Sequence, residues 1–254
     1  LSISKNNAYK YEEYELLLQI IPIEISLCFN DGFILNYDKL KVLKEEQKKV
    51  NDIVDTLTNL LTIKAELQQY QFAEDIDQAD INNFTKIYGH SPVMLVDDLI
   101  SQRAKSICLY NNCIYSFLLH NYELAFHYHT MHYELFKEYP EFFERKEVLQ
   151  LLNNFMYCCC LTKKEDLFNQ LVNELINIKN QTKEESLYIK RAIYIRKLEL
   201  YHHLKKFSDA NSYALEAESN LNSKNYLFNS YNTKYLQLLI IRAFIENNNF
   251  NAAI

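Results

Sequence analysis

Glycine is almost missing from this chain. Two glycines, three prolines and no tryptophan stand among 254 residues, against an average usage of about 7% Gly and about 5% Pro. Sheet proteins use Gly at tight turns and bulges, and α/β enzymes use it where backbone approaches a phosphate. Two glycines cannot serve either purpose repeatedly, which points to an all-α fold. No run approaches the roughly 18 apolar residues of a transmembrane helix, so no membrane partner is expected. Neither a charged n-region nor an apolar h-region follows Leu1, so no signal peptide is expected. The 27 basic residues, against 33 acidic ones and a net charge of −6, are scattered. They form no basic stripe of the kind a nucleic-acid footprint needs, so no nucleic-acid partner is expected.

What is present is apolar material: 48% of the residues are hydrophobic, enough for a sizeable core. The six cysteines include no CxxC pair, and Cys158, Cys159 and Cys160 are consecutive. Neighbours on a helix point about 100° apart, so three adjacent thiols cannot all meet one partner. Buried, reduced thiols and a cytoplasmic location follow as expectations.

A phrase recurs. It reads Asn121-Tyr122-Glu123-Leu124-Ala125, then Lys206-Phe207-Ser208-Asp209-Ala210, then Asn249-Phe250-Asn251-Ala252-Ala253. Each copy has an aromatic followed three residues later by Ala, after an apolar run and a polar break. A degenerate copy falls near Glu165, with Phe168 in the Ala position, so the period is about 43 residues. Apolar columns accompany the phrase. Cys108, Leu151, Ile193 and Leu236 share one offset before it; Cys113, Met156, Leu198 and Ile241 share another; Tyr115, Cys158, Leu200 and Ala243 a third. After it, His129, Val172 and Ala214 share an offset, as do His132, Leu175 and Ala217. These separations place each set on one side of a helix.

The aromatic with small residues three, seven and ten positions later, complete in Phe207, Ala210, Ala214 and Ala217, resembles the tetratricopeptide pattern. The longer period and the missing Gly of the first helix make the resemblance one to long-helix members of that class, including bacterial repeat proteins. It covers residues 98–254 well and 1–97 loosely; an irregular helical bundle is the alternative. The resemblance implies a right-handed α-solenoid of antiparallel helix pairs, preceded by a long helical hairpin. Residues 1–90 form the N-terminal long-helix region and 91–254 the repeats, the last of them truncated.

Along the chain, periodicity predicts a helix over 8–29, kinked or broken near Pro22 and ended by Gly32. A long helix runs over 38–72 from Asp38, followed by an acidic loop with a short helix over 73–90. Ser91-Pro92 reads as the cap and first residue of a new helix. The pairs then run 93–120 with 122–138, 145–161 with 165–179, 184–204 with 207–221, and 227–246 with a partner starting at Phe250. The break at Ile254 reads as the end of a fragment, and an open last repeat would leave an apolar face for self-association.

Candidates for chemistry are few. His120, His127, His129 and His132 crowd one hairpin, but only His129 and His132 share a helix face. They read as packed residues in place of small ones, with metal binding as the alternative. Cys158–Cys160 and His202 fall on adjacent helices, at a helix end where the macrodipole disfavours a thiolate. No catalytic residue, metal or cofactor is therefore expected. The 20 tyrosines suit either an interface or the space between long helices.

The expected function is a scaffold for protein–protein interaction that binds a peptide or helical segment in a concave groove. The resemblance places Tyr110, Asn153, Tyr157, Glu199, His202 and Arg242 in that groove. The alternative is a peptide-sensing regulatory domain whose effector module lies elsewhere in a longer protein.

Overall fold

The computed structural model describes residues 1–30, 37–72, 82, 96, 99–179, 182–222 and 231–248. Among them stand ten α-helices, one 3-10 turn and no strand: α1 (Ser2–Lys10), α2 (Tyr14–Asn30), α3 (Tyr37–Phe72), α4 (Gln102–Leu118), α5 (Tyr122–Glu138), the 3-10 turn Pro140–Phe142, α6 (Arg145–Thr162), α7 (Glu165–Ile176), α8 (Lys183–His203), α9 (Phe207–Asn222) and α10 (Tyr231–Glu246). No described helix is long and apolar enough to cross a membrane. The elements sort into two compact units, Leu1–Glu144 and Arg145–Ile254, so α4 and α5 belong with the long N-terminal helices.

One turn recurs. Glu12, His120, Lys163, Lys205 and Asn248 each have φ between 53° and 58°. At the first four, two backbone bonds close the preceding helix. The N–H of the turn residue reaches back three residues, as His120 to Phe117. The next N–H reaches back five, as Asn121 to Ser116, Lys164 to Cys159, Lys206 to Tyr201 and Glu13 to Ala8. This is the left-handed helix end that Gly usually supplies. A side chain in that region costs about 1–2 kcal/mol, and the two bonds to otherwise orphaned carbonyls offset it. The scarcity of Gly therefore does not mean a scarcity of tight turns.

Two residues after each of these first four turns a second helix begins. Its inward positions are closed: Leu17 and Ile21 in α2; Ala125, His129 and His132 in α5; Phe168, Val172 and Leu175 in α7; Ala210, Ala214 and Ala217 in α9 are all buried. The columns on the helices before the turn are buried too, except Ile241.

In unit 1, α1 packs on α2, α2 on α3, α3 on α4 and α4 on α5. At 1.5 Å per residue α3 runs roughly 54 Å and serves two neighbours. Val50 joins Leu17 and Ile21 at one end; Leu60 and Leu67 join Leu109 and Ile114 towards the other. In unit 2, α8 is central and packs against α6, α7, α9 and α10; α6 pairs with α7, and α9 with α10. The core between α8, α9 and α10 gathers Leu198, Ala210, Ala214, Ala217, Leu236 and Phe244.

Two boundaries differ from expectation. The break in the first helical segment falls at residues 11–13, and α2 runs through Pro22. Pro22 lies on the exposed side of α2. Within the segment expected over 93–120, of which 93–95 and 97–98 lie outside the described residues, residues 99–101 are not helical and α4 begins at Gln102. There Ser101 accepts from the Ala104 N–H at 3.1 Å, and the Glu12 carboxylate accepts from the Gln102 and Arg103 N–H groups at 2.7 and 2.9 Å. That cap comes from about ninety residues away, so no local pattern announces it. Gly32, the acidic loop over 73–90 apart from residue 82, Ser91-Pro92, residues 223–230 and the phrase from Asn249 lie outside the described residues.

Candidate functional site

Five of the six groove residues expected from sequence fall in unit 2, and they come together there. The first helices of its pairs, α6, α8 and α10, lie side by side. α8 is held in register at its start by a capping box between Thr182 and Glu185. Arg145 of α6 donates to that same Glu185 at 2.6 Å. Its hydrogen bond, ahead of the Thr182 backbone bond, holds the Glu185 carboxyl below its ordinary range.

Further along α8 stands Arg196. Its Nε donates to Asn153 Oδ1 of α6 at 3.1 Å, and its Nη1 to Glu199 Oε2 at 2.8 Å. The guanidinium lies 4.5 Å from the centre of the Tyr157 ring, a cation–π contact. The other oxygen of Glu199 accepts from the Tyr235 hydroxyl of α10 at 2.8 Å. Glu199 is 5% exposed. Burial works against charge on Arg196, but Glu199 outweighs it and the guanidinium pKa is raised. Burial first, and then Glu199, raises the Tyr235 hydroxyl.

A second polar group follows one turn on. His202 of α8 meets Glu246 of α10 at 2.8 Å, and Arg242 donates to the same carboxylate at 2.9 Å. Arg242 also contacts His202 directly. Burial pushes the Glu246 carboxyl up, but the bonds from Arg242 and His202 outweigh it and hold it below its usual range. Asn153, Tyr157 and Glu199 thus gather around Arg196, and His202 and Arg242 gather around Glu246, two polar clusters across the same three helices.

Tyr110 is placed differently. It lies in unit 1, 6% exposed, in a cluster with Leu67, Ile114 and Tyr115. Its hydroxyl accepts from Gln68, and Lys64 lies over its ring. α3 covers the side of α4 on which it stands, so no groove opens there.

Sequence reasoning missed Arg196 and Glu246. The signal was present: Arg196 stands three residues before Glu199 and Arg242 four before Glu246, both helix-neighbour spacings. Asn153 and Tyr157 point to Arg196 only once α6 lies beside α8.

Burial shifts several of the thiols and two of the histidines. All six cysteines are buried. Burial pushes Cys108 and Cys159 up to about 12, far from a reactive thiolate. His129 and His132 are buried in α5, with His132 Nε2 bonded to Ser106 at 2.9 Å. Desolvation lowers both to about 3. Among the described residues no group of three or more His, Cys, Asp or Glu side chains could hold a metal ion. No family model matches the chain, and neither does a curated protein or a solved structure.

Proposed function

We propose that the chain is a tetratricopeptide-like scaffold, a right-handed stack of antiparallel helix pairs with a period of about 43 residues. In this reading it binds a peptide or helical segment of a partner protein along α6, α8 and α10. The observation that carries the reading is the polar run from Asn153 through Arg196 and Glu199 to Tyr235, with His202, Arg242 and Glu246 beside it. An apolar filler of the same volume is usually at least as stabilising as a buried ion pair, so stability alone gives weak reason to keep Arg196 and Glu199 there. A surface with aromatic rings, an amide and charges of both signs suits an extended or helical ligand: rings anchor, and the amide and charges select.

The site is confined to unit 2, with Asn153, Tyr157, His202 and Arg242 as its reachable side chains. Tyr110 is left out because it is covered. The reading includes no catalytic role. Burial raises the Cys108, Cys159 and Cys160 thiols and lowers His129 and His132, the opposite of what a thiolate nucleophile or near-neutral base needs.

The test compares partners captured by the wild type and by a Tyr157→Ala, Arg242→Ala double variant. Folding is checked by circular dichroism and melting temperature. Loss of specific partners is expected, with the helical fold retained and only a modest drop in melting temperature. A folded double variant that retains every wild-type partner overturns the reading.

A further inference from the structure

Unit 1 holds a cavity that the groove reading does not use. It lies between α1, α3 and the start of α4 and measures about 430 Å³, within the roughly 300–1,000 Å³ of small-molecule sites. Val50 and Ala104 form a buried floor, with Ile53 and Leu99 half-buried beside them. Tyr9, Glu46, Thr56 and Ser101 bring polar atoms to the wall. The nearest described residue before Leu99 is Val96, and it turns elsewhere: it is buried with Leu60, Cys108 and Leu109 and takes no part in the lining.

The polar groups share a bias. Each hydroxyl has already given its hydrogen: Tyr9 to Glu46, Ser101 to Glu12 at 2.7 Å, and Thr56 to the Asp52 carbonyl at 2.7 Å. A hydroxyl has one hydrogen to donate and two lone pairs to accept with, so these side chains have only acceptor capacity left. Burial, then the bond to Glu46, raises the Tyr9 hydroxyl, which keeps its proton. Glu46 shares the ammonium of Lys5 with Glu24, at 2.7 and 2.6 Å, so two carboxylates face one cation. On the rim Lys49 and Asp52 are both exposed and stand three residues apart on α3, a spacing at which opposite charges offset each other. An apolar floor thus meets a wall that accepts hydrogen bonds and carries an excess of negative charge.

We propose that this cavity binds a small amine with an apolar body. The body fills the space over Val50 and Ala104, and the ammonium donates to Glu46 and to the Tyr9 oxygen. An ammonium brings three donors and no acceptor, which complements that wall. A carboxylate head would set lone pairs against lone pairs, and an alcohol would forgo the charge-assisted bond. The site uses residues of unit 1 alone and does not rest on the groove reading.

The test is isothermal titration calorimetry of the 254-residue chain with phenylbutylamine, phenylbutanol and phenylbutyrate, which share an apolar body and differ in head group. The amine is expected to bind about tenfold more tightly than the alcohol, the margin of a charge-assisted hydrogen bond over a neutral one, and the carboxylate most weakly. Glu46→Gln keeps the shape and removes the charge, and should bring the amine and the alcohol to similar affinities. Thr56→Trp fills the cavity from α3 and should abolish binding of all three. Circular dichroism and melting temperature check the fold of both variants, and the wild-type head-group series decides by itself where a variant does not fold. A wild type that binds none of the three overturns the proposal, as it would if another part of the chain fills the cavity. So does equal or tighter binding of the carboxylate, a preference for the amine that survives Glu46→Gln, or amine binding that survives in a folded Thr56→Trp variant.

Discussion

The same place in a helix pair is filled in opposite ways in the two units. Counted back from the turn, Tyr110 in unit 1 corresponds to Asn153 in unit 2, and Ile114 corresponds to Tyr157, Glu199 and Arg242. In unit 1 the long helix α3 lies over these positions and they form core: Tyr110 with Leu67 and Ile114. In unit 2 their neighbours are α8 and α10, which bring Arg196, Tyr235 and Glu246 to them. Position within a repeat sets which way a side chain points. The element that comes to lie there decides whether it becomes packing or a polar surface.

The largest effect should come from splitting the ion pair of unit 2. Glu199→Ala leaves Arg196 largely buried without its carboxylate, and losing one partner of a buried pair costs about 3–5 kcal/mol. Chemical denaturation should show that loss, and an Arg196→Met, Glu199→Leu double variant should recover most of it. A Glu199→Ala variant as stable as wild type would contradict the buried pair.

Truncating the two tyrosines tests the contrast between the units directly. Tyr110→Ala should cost about 3 kcal/mol or more, as for other buried aromatics. Tyr157→Ala, half-buried, should cost clearly less. Equal losses would erase the distinction between core and groove.

Acid should weaken unit 1 through its histidines. Burial holds His129 near a pKa of about 3; burial, then His129 and Lys64, does the same for His132. The unfolded chain binds protons at the ordinary value of 6.5, and the folded chain does not. Their contribution is therefore intact above about pH 6.5 and is lost progressively as pH falls towards 3. Urea midpoints measured across that window should fall, and His129→Leu should flatten the slope. An unchanged slope in that variant would place the acid sensitivity elsewhere.

The smallest of these effects concerns the link between α1 and α4. Glu12→Ala removes a carboxylate that accepts from Ser101, Gln102 and Arg103, and should cost about 1–2 kcal/mol, as loss of a helix cap does. Thermal melts read it; no change would show that water replaces the cap.

Much of the helical layout was legible because it rests on local patterns. The columns at Ala125, Ala210, Ala214 and Ala217 need only helical periodicity, and those positions are buried. The first hairpin was not legible. Its second helix carries Tyr14 and Leu17 where the recurring phrase has an aromatic and Ala, and Pro22 draws attention away from the turn at Glu12. Five residues expected from repeat offset fall in unit 2, in two polar clusters. Tyr110 was misjudged because the covering helix, α3, lies outside the repeat pattern. Arg196 escaped notice because Asn153 and Tyr157 reach it from another helix and only Glu199 is close in sequence.

The central claim is that the face of α6, α8 and α10 meets a partner and the matching side of α4 does not. Photo-crosslinking tests it most directly, with benzoylphenylalanine placed at position 157 in one variant and at position 110 in another. The account predicts covalent adducts to a captured partner from position 157 and only crosslinks within the chain from position 110. Adducts from position 110, or none from position 157 in a variant that folds as the wild type, would contradict it.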